Sequence, residues 1–258
     1  MTLRVLSLGA GVQSTTLALM AANGEIEPPN CAIFADTGWE PRAVYDHLDR
    51  LTAALPFPVH RVSRGNLRTD ILQMARGQPT GHGRPQPPYF IRNADGSKGV
   101  LRRQCTRDYK VQPIKAWLRP HKANGIEQWL GISTDEAHRM RMSEDEWIEL
   151  RYPLIERRMS RSDCIAWLAR QGWAAPKSSC IGCPYHSDAQ WQTLTTDEMA
   201  EAVALERAVQ AGRQHMAIDG MPFLHASLKP LDQVDFTRWQ DRNQPDLFGA
   251  ECEGMCGV

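Results

Sequence analysis

The sequence predicts an α/β chain built on a doubly wound, mostly parallel sheet, with a smaller C-terminal region of helices and cysteines. Three observations carry that expectation. A glycine-rich turn, Ser7-Leu-Gly-Ala-Gly-Val-Gln-Ser14-Thr15, stands between a short apolar run and an apolar helical segment. Short apolar runs then alternate with stretches whose apolar residues recur at helical spacing, the pattern of parallel strands joined by crossover helices. Several runs end abruptly in polar turn residues, and in an open parallel sheet the loops beyond the carboxyl ends of the strands share one crevice.

Leu3, Val5 and Leu6 make the first strand, and Leu17, Ala18, Met20 and Ala21 give the one-sided spacing of a helix that stops at Asn23-Gly24. Between them, Gly9 and Gly11 admit backbone dihedrals closed to other residues, and the free N–H groups and dipole of the helix start favour an anion. A tight turn that binds nothing would carry the same glycines. Cys31 to Ala35 is a second strand, ending in Asp36-Thr37-Gly38-Trp39-Glu40. Pro41 opens a helix with Val44, Leu48, Leu51 and Leu55 on one side, and Asp36 suits its cap as well as a ligand. Val59 to Val62 is a third strand, and Leu67, Ile71 and Met74 mark a third helix.

Residues 76–99 carry too many Gly and Pro for regular structure and are expected to form a lid, packed through Tyr89 and Phe90. Ile126 to Ile132 supplies a further strand, closed by a polar segment running from Gly131 to Arg141. Tyr152-Pro-Leu-Ile155 leads into a helix capped by Ser160 and Asp163, apolar at Cys164, Ile165 and Leu168, and ended by Gly172. Thr195 and Glu198 cap a longer helix running to Ala211.

Lys plus Arg (30) equals Asp plus Glu (30) over the 258 residues, so no global pull toward nucleic acid or membrane follows. Arg102, Arg103, Arg107 and Lys110 form a local basic cluster. No run approaches the ~18 apolar residues of a spanning helix, and the chain enters a strand at once without a leader, so a cytoplasmic protein is expected. Seven cysteines in such a chain favour metal binding or reactivity over disulfides. Cys31 and Cys164 sit in apolar patterns; Cys105, Cys180, Cys183, Cys252 and Cys256 sit in polar, turn-rich surroundings. The Cys180-Ile-Gly-Cys183 spacing lets both sulfurs turn toward one metal, and by itself suits a zinc knuckle, a redox pair or half of a cluster site.

Ser7 to Thr15 resembles the S-G-G-x-D-S loop of the PP-loop (adenine nucleotide alpha hydrolase-like) superfamily, especially its phosphoadenosine phosphosulfate reductase branch, with Gly9 and Gln13 replacing the first Ser and the Asp. That resemblance implies nucleotide contacts from Ser7, Gly9, Ala10, Gly11, Gln13, Ser14 and Thr15. Asp36-Thr37-Gly38 is similar to the Asp-Thr-Gly of the sulfonucleotide reductases, which lies beside the nucleotide. The segment from Cys105 through Lys110 to Ile114 resembles the C-x-x-x-x-K-V-x-P-[LI] run of the iron–sulfur members, with Thr106 where a second Cys follows. It implies Cys105 as a cluster ligand, Arg103 and Arg107 as anion-binding donors, and Lys110 as a catalytic cation. Gly131 to Arg141 resembles G-[IV]-R-x-x-E-S-x-x-R with Ser133 for the first Arg, implying Gly131, Glu136 and Arg139 at the nucleotide. Glu251-Cys252 is similar to the mobile tail whose Cys attacks a sulfonate sulfur; Cys256 is an addition to that pattern.

The resemblance implies a PP-loop nucleotide-binding domain at 1–175 and a cysteine-rich helical region with a tail at 176–258. A [4Fe-4S] cluster would rest on Cys105, Cys180, Cys183 and Cys252, with Cys252 and Cys256 catalytic beside Lys110. ATP or a sulfonucleotide is the implied substrate, with Mg2+ compatible. A sulfur-donor or thiol-reductant protein and a nucleic-acid acceptor are the candidate partners, no membrane is implied, and an oligomer is left open. Sulfur transfer driven by ATP adenylation is preferred, against two alternatives: a phosphoadenylyl or adenylyl sulfate reductase releasing sulfite through Cys252, and a zinc-stabilised, non-catalytic binding module.

Overall fold

A computed structural model describes residues 2–81 and 85–236. Its central sheet contains β1 (Leu3–Ser7), β2 (Cys31–Asp36), β3 (Val59–Ser63), β6 (Ile126–Trp129) and β7 (Ile148–Arg151). These strands pair in parallel in the order β3-β2-β1-β6-β7. The order reverses at β1, where the chain moves to β2 on one side and later returns to β6 on the other. Ligands in such sheets bind outside the carboxyl ends at that reversal.

Alternation along each strand sends successive side chains to opposite faces. Leu6 and Phe34 join one buried cluster with Leu17 and Met20 of α1 (Val12–Ala22), Leu48 and Leu51 of α2 (Arg42–Ala54), and Cys164 and Leu168 of α6 (Arg161–Arg170). Val5, Ile33 and Ile126 join the other with Ile114 and Leu118 of α4 (Gln112–Leu118). Each such side chain contributes roughly 1.5–3 kcal/mol on full burial, so both faces need cover. The doubly wound α/β class read from the sequence is the observed one.

Local signals act where they were read. Ser160 accepts from Asp163 N and opens α6 with a complete capping box. Thr195 does the same with Glu198 at the start of α8 (Thr196–Gly212), the short α5 (Pro153–Glu156) preceding α6 and the short α7 (Asp188–Trp191) preceding α8.

Three expectations are corrected. Helix α1 is buried from Val12 through Ala21 rather than on one side, because the sheet and α6 enclose it. The further strand stops at Trp129, short of Ile132, and β7 beside it was not anticipated. Residues 76–99 are not wholly irregular. β4 (Phe90–Arg92) and β5 (Lys98–Val100) form a hairpin around Asn93–Ser97, with Gly96 at φ +81°, and β4 also pairs with β8 (Met221–Phe223). The backbone partners supplied by β8 lie more than a hundred residues away, which is why local composition misleads there.

A third cluster joins Trp39, Tyr89 and Tyr109 with Leu67 and Ile71 of α3 (Leu67–Ala75), Ile181, Trp191, and Leu205 and Val209 of α8. The cysteine-bearing segment therefore packs against the loop that follows β2. Among the described residues no helix is long and apolar enough to cross a membrane.

Candidate nucleotide crevice and thiol cavity

The glycine-rich turn leaves β1 at Ser7 and enters α1 through Gly11, an N-cap in extended conformation with no side-chain cap. Ser14 Oγ instead turns back to accept from Gly9 N at 3.2 Å. Ala10, fully buried, adopts a left-handed φ of 59°, a conformation that costs an L-residue about 1–2 kcal/mol. Its persistence shows that the surrounding loop dictates the backbone there. No acidic residue occupies the first turn of α1, so the positive end of the helix dipole is not offset from within the helix. Behind the loop, Thr15 Oγ1 lies 2.9 Å from His47 Nε2. Burial, reinforced by Arg50, pulls His47 down to about 4, so the ring is neutral at pH 7.

The loop after β6 meets this turn. Gln13 Nε2 donates to Ser133 Oγ at 3.3 Å and to Glu136 Oε2 at 3.0 Å, and Arg139 pairs with the other oxygen of Glu136. Gln128 Nε2 donates to Ser7 Oγ at 2.8 Å across the neighbouring strands. The predicted Gln13, Glu136 and Arg139 are thus brought together. Gly131 is buried in the same loop.

The loop after β2 is shaped by Asp36, whose Oδ1 accepts from Gly38 N at 2.7 Å and from Tyr45 OH at 2.8 Å. Gly38 sits at φ +68° with Asn66 close by, so a side chain there would be strained and crowded. Thr37 Oγ1 then lies 3.1 Å from Glu40 Oε1 and 3.3 Å from Cys180 Sγ. Glu40 Oε1 also takes the Lys110 ammonium at 3.2 Å and the Cys180 thiol at 3.5 Å. Glu40 and Lys110 are buried to 0% and 4% side-chain exposure. Glu40 Oε2 is buried with no hydrogen-bond partner among the described residues. A buried ion pair of this kind is held by mutual need, since losing either partner strands a charge.

Thr37, Lys110, Cys105, Cys180 and Cys183 line one cavity together with Trp39, Arg103 and Thr106. It is narrow, ≈ 20 Å³, room for about one water. Cys105 enters it from the start of a helix interrupted by a π-helical turn, Arg107–Val111, an irregularity common at functional sites. Cys180 and Cys183 enter on a loop fastened to the β2 loop by Ile181 N donating to Trp39 O at 3.0 Å. Three thiols and an ammonium are a donor set suited to thiolate-held iron or to thiol redox chemistry. Among the described residues no three His, Cys, Asp or Glu side chains converge closely enough for a single metal ion.

Arg107, placed by sequence with these groups, lines a separate basic groove, whereas Arg103 borders both spaces. Cys252 and Cys256 lie outside the described residues. Cys31 and Cys164 are core thiols, and burial pushes Cys31 up to about 11. Sequence reasoning missed Glu40, Trp39, Gln128 and His47. Only Glu40 left a signal: a lysine assigned to a buried site requires a carboxylate nearby, and Glu40 follows the strand end that faces it.

No family model and no curated protein matches the chain. Among solved structures, the chain is similar to the crystal structure of phosphoadenylyl-sulfate (PAPS) reductase from Candida auris in its phosphate complex. Identity is 14%, the match covers 76% of this chain and 84% of that one, and the TM-score is 0.44.

Proposed function

We propose that the chain is an adenine-nucleotide-dependent sulfur-transfer enzyme resembling the phosphoadenosine phosphosulfate reductase-like PP-loop proteins. The observation that carries the proposal is the position of Thr37. Its hydroxyl lies 3.3 Å from the Cys180 sulfur at the end of β2, one strand from the glycine-rich turn after β1. Nucleotide crevice and thiols therefore share an edge of the sheet.

On this reading the amides from Gly9 to Ser14 cradle the phosphates, and Arg139 balances charge on the far side. An acceptor oxygen attacks the α-phosphorus of ATP, the bond to pyrophosphate breaks, and pyrophosphate leaves, with Mg2+ serving its charge. The terminal sulfur of a cysteine persulfide, formed by a sulfur-donor protein, then displaces AMP from the activated carbon. A second cysteine thiolate frees the product by attacking the cysteine-bound sulfur, leaving a disulfide that a thiol reductant resets. Lys110, held by Glu40, stabilises the anionic sulfur. In place of the persulfide, Cys105, Cys180, Cys183 and Cys252 would hold a [4Fe-4S] cluster, which when bound supplies soft iron sites for sulfide.

A second reading is favoured by Gln13, a neutral amide tied to Ser133 and Glu136 where the ATP-splitting loops carry a carboxylate. There Cys252 thiolate attacks the sulfur of a sulfonucleotide and expels the nucleotide phosphate. A dithiol reductant then releases sulfite and keeps the disulfide. Pyrophosphate release from ATP supports the first reading and sulfite release from adenylyl or phosphoadenylyl sulfate the second. Iron and sulfide counts on anaerobically purified wild type and Cys105→Ala accompany both assays. A cluster-replete protein with neither activity overturns both, and a colourless zinc protein without turnover would return the chain to a binding module.

A further inference from the structure

Beside the thiol cavity runs a groove of ≈ 760 Å³ whose lining includes Arg102, Arg103, Arg107, Lys115 and Arg141 against Asp108 and Glu144. Lys115 also pairs with Asp145 at 2.6 Å. The chain as a whole has no net charge, so this cationic excess is local. The cations come from the irregular segment holding Arg102 and Arg103, from the helix that follows it and from the loop after β6, and Arg107 to Lys115 alone spans about 12 Å of helix. Such a spread suits a ligand carrying phosphates in series. Where the groove meets the thiol cavity, the Arg103 guanidinium sits 5.6 Å from the centre of the Tyr185 ring, and Tyr185 follows Cys183-Pro184 directly. A planar cation and an aromatic ring at the end of a basic groove form a surface on which a base can stack.

We propose that this groove binds single-stranded nucleic acid and presents one base, stacked at Tyr185 and Arg103, to the thiol cavity. The inference deepens the sulfur-transfer reading by naming the acceptor class; the binding it describes does not depend on that reading. A single strand is required because the thiols are recessed, and a base paired within a duplex cannot reach them without being unstacked and extruded. Arg102, Arg107 and Arg141, all exposed, track the backbone and carry affinity without sequence preference.

The test is fluorescence polarisation of the full chain with labelled RNA and DNA oligonucleotides, single-stranded and duplex, between about 50 and 200 mM salt. Single strands are expected to bind at least roughly tenfold tighter than the matching duplexes, which must give up base pairing. Arg102→Ala/Arg141→Ala should flatten the plot of log affinity against log salt by about 1.4, some 0.7 per cation. Tyr185→Ala should weaken binding roughly fivefold or more with the salt slope unchanged, and Tyr185→Phe should restore it. Adenine-nucleotide binding by Arg102→Ala/Arg141→Ala is expected to equal wild type. Duplex binding as tight as single strand, an unaltered slope in the arginine variant, or no binding up to ~100 μM overturns the proposal. Oligonucleotide binding without adenine-nucleotide binding would instead sink the proposed function and leave the groove standing.

Discussion

Gly182→Ala is the substitution that bears most on how the thiol loop is held. A Cβ on Gly182 would stand 2.2 Å from Cη2 of Trp39, 2.7 Å from Cζ3 and 3.2 Å from Cζ2. Carbon atoms prefer about 3.5–4.0 Å, so the ring or the loop must move by more than about 1 Å. Neither is free to do so. Trp39 is 4% exposed, its Nε1 donates to Glu201 Oε2 at 2.9 Å, and its carbonyl takes Ile181 N. Overpacking of a fixed ring costs about 1–3 kcal/mol, and loss of the indole hydrogen bond adds about 1. We expect about 2–4 kcal/mol of destabilisation in urea unfolding. Removing the ring should remove the conflict: in a Trp39→Leu background the same change should cost under about 0.5 kcal/mol. A double-mutant cycle that is additive within about 0.5 kcal/mol would refute the contact between the cysteine loop and the β2 loop.

Gly212→Ala brings a Cβ to 2.0 Å from the Ala75 carbonyl oxygen, where α8 crosses α3; backbone cannot swing aside, so a loss of about 3 kcal/mol or more is expected in urea unfolding, and a neutral result would deny the close crossing. Lys110→Met strands the buried Glu40 carboxylate and should cost about 3–5 kcal/mol, whereas adding Glu40→Gln should recover most of it; a double variant no more stable than Lys110→Met would show that the pair is not coupled. His47 is held neutral in the fold and takes a proton on unfolding below its ordinary range near 6.5, so its contribution is intact above that pH and is lost as pH falls toward about 4. After allowance for solvent at the ring edge the slope is on the order of 1 kcal/mol per pH unit, and His47→Gln should flatten the thermal midpoint between those limits. An unchanged pH profile in that variant would contradict the burial of the ring.

What the sequence revealed was local or periodic. Strand–helix alternation comes from side-chain spacing, and the caps at Ser160 and Thr195 come from residues three apart. The all-round burial of α1 was hidden because Gln13, Ser14, Thr15 and Thr16 are polar, and their burial is imposed by the sheet and α6. The β4–β5 hairpin carried a visible Asp95-Gly96 turn, but its partner β8 is remote. The same distance hid Trp39 from Gly182, a product of packing with no spacing to betray it, whereas Glu40 is signalled only by the need of a buried Lys110 for a carboxylate. The π-helical turn at Arg107–Val111 has no sequence period that separates it from an ordinary helix.

The common edge proposed for nucleotide and thiols is tested most directly by alkylation. Mass spectrometry would follow iodoacetamide labelling of Cys105, Cys180 and Cys183 in anaerobic protein stripped of iron by a chelator, with ATP, with a sulfonucleotide and with neither, using buried Cys31 and Cys164 as internal standards. At least one nucleotide should slow all three cavity thiols together and leave the two core thiols unchanged. Labelling of the three that is indifferent to both nucleotides would contradict a common site.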